Sequence, residues 1–279
     1  MLQLTDIALV RNGKSDSGGD MTGKSLGFIG GGRVTRILLC GFKRGQALPE
    51  RVRVGDSGAD PLEKLRRLLP EIVLFPGDNA PPASCDIVFL ALHPPAIPAV
   101  LGGIKDHLRP DAILVSLAPK VPLARLSELA GGVRNVARMI PNAPSIVGDG
   151  YNPIAYSGDF KPEAREDLTA LLGVLGICPE VREDSLEAYA ILTGMGPTYL
   201  WFQLVELMRL AETFGIGAEE AAEATYRMVA GAGKTLRESG LSPKDVVDLI
   251  PVKPLADDEE NIREIYRTRL SALHGKLKA

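Results

Sequence analysis

The sequence predicts an α/β protein, a Rossmann-type parallel sheet domain followed by an all-helical domain. Three observations predict it. An apolar run, a glycine cluster and an amphipathic segment follow one another across Ser25 to Cys40. Strand-like and helix-like segments alternate through the first half of the 279 residues, and from about residue 188 the pattern is wholly helical.

The first element justifies the class. Ser25-Leu-Gly-Phe-Ile29 reads as a strand, Gly30-Gly-Gly32 as a tight turn and Arg33 onward as a helix. That order holds a dinucleotide pyrophosphate: Gly30 permits the turn, Gly31 and Gly32 leave the backbone open, and Arg33 and Val34 begin a helix with unpaired N–H groups. Thr35 stands where a third glycine or alanine is usual. Gly18 to Ser25 also matches a phosphate-loop pattern literally, but its lysine, Lys24, leads into a strand rather than a helix, so the match is read as chance. Residues 1–24 are expected to form a flexible N-terminal extension, with Met21 as an alternative start.

Arg51–Val54 reads as a second strand followed by a helix over Pro61–Leu69, and Glu71–Phe75 as a third strand. Asp86–Leu92 is apolar on both faces, as a central parallel strand must be, and ends at His93 and Pro94. Ala112–Ser116 and Val133–Met139 supply two more strands, Pro162–Gly173 a helix, and Glu180–Asp184 a strand that closes the sheet. Ligands of such sheets gather at the carboxyl ends of the strands, which nominates Gly30 to Arg33, Asp56 and Ser57, Leu92 to Pro94, and Ser116 to Ala118 as one crevice.

The remainder reads as helices over Ala188–Phe214, Ala218–Ser239, Pro243–Ile250 and Asp257–Lys278. Tyr199–Leu210 is apolar nearly all round, so it belongs in a large core or an interface. A small helical domain has little core of its own. The expected organisation is therefore residues 25–184 as a dinucleotide-binding domain and 185–279 as a helical dimerisation and substrate domain, giving a homodimer or a dimer-based oligomer; the alternative is a helical cap on its own sheet domain.

Composition sets limits. A net charge of −3 is unsuited to a nucleic-acid binder, and no apolar run approaches the roughly 18 residues that span a bilayer. The N-terminus has no basic-then-apolar order. Cys40, Cys85 and Cys178 have no metal-ligand spacing and sit in apolar settings, so no metal is expected and a reducing cytoplasm is the simple reading.

Several motifs occur in one order: Gly27-Phe-Ile-Gly-Gly-Gly32, Leu90-Ala-Leu-His-Pro94, Arg138-Met-Ile-Pro-Asn-Ala-Pro144, Leu192-Thr-Gly-Met-Gly-Pro-Thr-Tyr199, then Gly231-Ala-Gly-Lys234. Over roughly residues 25–250 the chain resembles the pyrroline-5-carboxylate reductase family. The resemblance implies hydride transfer from a reduced nicotinamide, NADP(H) or alternatively NAD(H), to a cyclic imino acid. The site then mainly needs orientation, exclusion of water and an anchor for the substrate carboxylate.

The resemblance also assigns residues. Asn142 either reaches the nicotinamide or its ribose or holds a turn before Pro144. Tyr199 and Glu206 share one helix face, and Glu206 meets either substrate or Arg209 three residues on. Asp56, 24 positions after Gly32, suits an adenosine ribose and NAD, while Ser57 and Arg33 suit a 2′-phosphate. His93 and Thr193 replace a lysine and a serine of relatives, and Ala118-Pro-Lys120 replaces a glycine-ended turn. Relatives wrap the imino-acid carboxylate in a loop of hydroxyls and glycines where this chain reads Pro251-Val-Lys-Pro-Leu-Ala-Asp-Asp-Glu-Glu260, leaving Lys253 as its positive partner. Other classes stay open: an oxidoreductase of related fold acting on another imine or a hydroxy acid, or a non-catalytic nucleotide-binding descendant. The helix lysine of β-hydroxyacid dehydrogenases is Leu200 here, against that reading.

Overall fold

The computed structural model describes residues 23–278. The expected N-terminal extension therefore lies almost wholly outside the described residues. Lys24 does precede a strand, and its ammonium pairs with Asp167.

The chain divides into two compact units at Leu186 and Glu187. In the first, β1 (Ser25–Ile29), α1 (Arg33–Arg44), β2 (Arg51–Asp56), α2 (Ala59–Leu68), β3 (Val73–Pro76), α3 (Ala80–Ala83) and β4 (Ile87–Leu90) alternate. Then come α4 (Ile97–Ile104), β5 (Ile113–Ser116), α5 (Leu123–Leu129), β6 (Asn135–Met139), β7 (Gly150–Tyr151), β8 (Ile154–Tyr156), α6 (Pro162–Leu172) and β9 (Gly176–Ile177). Seven strands form one sheet in the order β3-β2-β1-β4-β5-β6-β8, parallel except that β8 runs against β6. The order doubles back between β1 and β4, which opens a crevice at the carboxyl ends of those strands.

The central strands β1, β4 and β5 are buried along their whole length, as their unbroken apolar runs require. Phe28 and Phe89 stack at 4.7 Å across the β1–β4 pair, and Leu38, Leu39 and Phe42 pack the inner face of α1 into the same core. The sheet is closed by Ile154–Tyr156, not by Glu180–Asp184, whose Glu180 makes only an isolated bridge to Ile154. Glu180–Asp184 carries four charges in five residues and cannot present an apolar face, whereas Ile154 and Ala155 are buried.

α7 (Leu186–Tyr189) begins at the division, and the second unit continues with a π-helical stretch over Ala190–Gly194, α8 (Pro197–Thr213), α9 (Ala218–Glu238), α10 (Pro243–Asp248) and α11 (Ala256–Lys278). The single helix expected over Ala188–Phe214 is thus broken before Pro197, which has no N–H to donate and whose ring excludes the regular bond to the preceding turn. The acids Asp257, Asp258 and Glu259 occupy the first turn of α11, where the helix dipole favours them. Among the described residues of this unit, the buried apolar side chains are Ala190, Ile191 and Ala221, and α8 buries none.

Asp86 ties the opposite, amino-terminal end of the sheet. It accepts from the N–H and hydroxyl of Ser25 at 2.7 and 2.5 Å and from Arg109 at 2.7 Å. Burial acts to raise its pKa, but the Ser25 donors and Arg109 outweigh it and hold the carboxyl below its ordinary value. The ionised form is thus the one the fold stabilises, and that contribution is complete above the ordinary value and lost as pH falls through the lower folded-state value. Asp86→Asn is expected to cost about 1–2 kcal/mol at pH 7 in urea unfolding. Its difference from the parent should narrow at acid pH.

Candidate functional site

The glycine turn is built by three neighbours. Gly30 has φ +102°, and a Cβ there would lie 2.4 Å from the carbonyl oxygen of Ala91, just past the end of β4, so only glycine fits. The Gly31 N–H donates to Asp56 Oδ2 at 2.6 Å. The buried Thr35 hydroxyl donates to the Gly30 carbonyl at 2.5 Å, which explains a threonine at the third small position. Gly32 differs from both its neighbours: a Cβ built on it meets nothing within 4 Å, and its φ of −72° suits any residue. Its bareness therefore serves nothing inside the protein and leaves room for a ligand that approaches the backbone. Behind it, α1 begins with no side-chain cap and no acid in its first turn, so its N–H groups are presented to an anion.

A cavity of about 680 Å³ opens on this turn. Of the residues expected to hold a cofactor, Gly31, Gly32, Arg33, Val34, Leu92, His93, Pro94 and Ala118 line it. Gly30 shapes the turn from beneath. Asp56 stands at the end of β2 with its second oxygen on the Gly58 N–H at 2.6 Å, and neither it nor the exposed Ser57 is part of the cavity wall. Asn142 is buried and is not one of the wall residues. Its Oδ1 accepts from the Tyr151 N–H at 3.1 Å and from the Ser145 hydroxyl at 3.4 Å, so it holds the turn after β6. The sequence reading missed Arg36 and Lys64, which also line the cavity. Arg36 was legible as the residue one helical turn beyond Arg33; Lys64 lies on α2, whose approach to the turn only the fold reveals.

The second unit contains a separate cavity of about 660 Å³, lined by Lys253, Glu259, Arg263, Tyr266 and Arg267 together with apolar residues of α11 and of the two positions before it. Of the four residues expected at the chemistry, Lys253 alone lines it. Tyr199 stands beside it, its ring edge-on to Tyr266 at 5.9 Å and its hydroxyl donating to the Ile191 carbonyl at 2.7 Å. Burial first, and Tyr266 second, push the Tyr199 pKa up, so its hydroxyl stays protonated. The Thr193 hydroxyl donates to the Tyr189 carbonyl at 3.0 Å within the π-helical stretch. Glu206 is exposed and lies 3.7 Å from Arg209, a weak surface pair. Among the described residues, no group of His, Cys, Asp and Glu is arranged to hold a metal ion.

Known proteins share this fold. Residues 25–120 match the family model described as NADP oxidoreductase, coenzyme F420-dependent. Pyrroline-5-carboxylate reductase of Corynebacterium melassecola is 26% identical over 226 residues, covering 80% of this chain and 83% of the relative. The Methanosarcina acetivorans enzyme of the same name is 28% identical over 234 residues, covering 82% and 85%. Among solved structures, a Plasmodium falciparum pyrroline carboxylate reductase with NADP bound superposes with a TM-score of 0.78 at 20% identity, covering 92% of this chain and 98% of that one. A Coxiella burnetii pyrroline-5-carboxylate reductase gives 0.68 at 26% identity, covering 91% and 97%.

Two glycine substitutions separate folding from binding. Gly32→Val is expected to keep the thermal midpoint of the parent and to abolish nucleotide binding in a fluorescence titration with NADPH. Gly30→Ala is expected to destabilise by roughly 1–3 kcal/mol through backbone strain. A valine at 32 that binds as the parent does would remove the pyrophosphate from this turn.

Proposed function

We propose, from the premise that the chain belongs to the pyrroline-5-carboxylate reductase family, that it reduces pyrroline-5-carboxylate to proline with NADPH, or alternatively NADH, as hydride source. The single observation that carries this reading is the bare Gly32 backbone at the uncapped start of α1, opening on a cavity large enough for a dinucleotide. When bound, the reduced nicotinamide supplies a hydride to the carbon of the protonated C=N bond. The protein's work is to bind, orient and keep water away.

The residues divide that work. The N–H groups of Gly32, Arg33 and Val34 hold the pyrophosphate, with Gly30 and Gly31 fixing the turn and Asp56 and Ser57 at the adenosine ribose. Leu92, His93, Pro94 and Ala118 flank the rest of the cofactor. Asn142, with its oxygen committed to the turn, keeps its two amide donors for the nicotinamide end. In the helical unit, Lys253 takes the substrate carboxylate in place of a hydroxyl loop, beside Thr193, Tyr199 and Glu206. Tyr199 acts there by position, since its hydroxyl is engaged by a backbone carbonyl.

Residues 25–184 serve the nucleotide and 185–279 the substrate and the assembly, which we take to be a homodimer or a multiple of one. Support comes from α8, where Trp201 is 49% and Phe202 69% exposed. Covering each such side chain is worth about 1.5–3 kcal/mol, and the unit has almost no buried apolar residues of its own. A second copy covers these helices most economically. The reading extends to a cytoplasmic enzyme with a small imino acid as partner. Its three free thiols all have raised pKa values, through burial first, with Cys178 at about 11.

The test is NADPH oxidation by the purified chain with pyrroline-5-carboxylate, NADH in parallel. Saturable turnover forming proline is expected, and cofactor binding without turnover would overturn the substrate. Charge placed on α8 tests the assembly: Trp201→Glu with Leu204→Glu is expected to give a monomer by sedimentation, and an unchanged sedimentation coefficient would exclude this face as the interface.

A further inference from the structure

We infer, on the strength of the nucleotide site proposed above, that the buried Asn152 is a positioning residue: its side-chain oxygen fixes Asn142 so that the Asn142 amide nitrogen is presented to the nicotinamide half of the cofactor. Asn152 lies between β7 and β8 and has no exposed surface. Its own N–H donates to the Ile177 carbonyl of β9 at 2.8 Å, which anchors it to the short β7–β9 pair. Its Oδ1 then accepts twice, from the Asn142 N–H at 3.1 Å and from the buried Ser145 hydroxyl at 2.9 Å. A hydroxyl has one hydrogen to give, and Asn142 Oδ1, at 3.4 Å, is the more distant acceptor for it. The other end of the Asn152 side chain, Nδ2, is sealed from solvent and has no hydrogen-bond partner among the described residues. The oxygen is therefore the working half of this amide, and both of its contacts converge on the turn that carries Asn142.

Asn142 is held at its backbone and at its side chain. Asn152 takes its N–H, and the Tyr151 N–H donates to its Oδ1 at 3.1 Å. With those two atoms fixed, the side-chain torsions have little freedom and the direction of Nδ2 is set. That nitrogen differs from the Nδ2 of Asn152. It too makes no hydrogen bond among the described residues, but it is not sealed, although Asn142 as a whole is only 8% exposed. A donor left open on an otherwise buried and braced residue is available to a ligand. Its place in the sheet says which part of the ligand. Asn142 follows β6, two strands from β4 and so about 10 Å away at ordinary strand spacing. In a doubly wound sheet the strands β4, β5 and β6 carry the second half of a dinucleotide, beyond the pyrophosphate on the glycine turn. Removing the Asn152 oxygen leaves a buried N–H and a buried hydroxyl without it, and the turn must shift to satisfy them. The hydrogen bonds of the glycine turn involve none of these residues, so orientation of the cofactor and affinity for it separate.

The experiment uses the full chain grown with isotopically labelled asparagine, its side-chain amide signals read by nuclear magnetic resonance and that of Asn142 identified by its loss in Asn142→Ala. Saturating NADP⁺ is expected to shift the Asn142 signal in the parent. In Asn152→Ala that shift should disappear, while NADP⁺ affinity in titration calorimetry stays within about twofold of the parent. In turnover with NADPH and pyrroline-5-carboxylate, Asn152→Ala should lower kcat about tenfold or more with the cofactor KM little changed. The double variant with Asn142→Ala should be no slower than Asn142→Ala alone, because one residue acts through the other. Asn152→Leu, of similar volume, repeats the test without a void, and a circular-dichroism melt confirms that each variant folds. Additive losses in the double variant overturn the positioning role, as does an Asn142 shift that survives in Asn152→Ala. If NADP⁺ binds without moving the Asn142 signal of the parent, this inference alone fails. If the signal moves as expected and pyrroline-5-carboxylate is not reduced, the substrate reading fails and the role of Asn152 stands. If neither NADP⁺ nor NAD⁺ binds, the nucleotide site fails and this role with it.

Discussion

A carboxylate at the end of one strand holds the glycine turn at the end of the next. Asp56 takes the Gly31 N–H, Thr35 takes the Gly30 carbonyl, and Ala91 leaves no room for a side chain on Gly30. These contacts bring the ends of β2, β1 and β4 to one point and aim the start of α1 across it. The cavity, its cationic wall and the exposed Gly32 backbone all follow from that alignment. A turn displaced by one residue would leave the N–H groups of α1 facing protein rather than ligand.

The two units solve opposite physical problems. The sheet unit buries an extensive core, with strands that are apolar on both faces and a glycine turn tight enough to admit no alternative geometry. Its binding surface is polar backbone and basic side chains, held rigidly from behind. The helical unit keeps large apolar surfaces on α8 and almost nothing buried of its own. In the assembly proposed above, covering those surfaces would couple association to the stability of this unit.

The start of α11 sets the charges around the second cavity. Asp257, Asp258 and Glu259 lie in the first turn of α11, where the helix dipole favours them, and Glu259 and Glu260 pair with Arg263 and Arg267. Lys253 is left on the wall of the adjoining cavity. If Lys253 is the anchor proposed above, it meets a carboxylate by charge, where a hydroxyl-lined loop would do so through fixed donors.

By itself the sequence determined the strands, the glycine turn, most of the cavity wall and the change to helices near residue 188. Those features depend on local rules: period-two and period-3.6 apolarity, and a glycine wherever backbone approaches backbone. The closing strand Ile154–Tyr156 and the break before Pro197 were missed because a three-residue strand carries no period and a proline inside an apolar run reads equally as a helix start. Only the tertiary structure decided that Asn142 faces its own turn, that Asp56 serves the glycine loop, and that Lys64 joins Arg33 and Arg36. Each depends on which distant element packs beside it, and residues far apart in the chain meet only when the sheet has set its strand order.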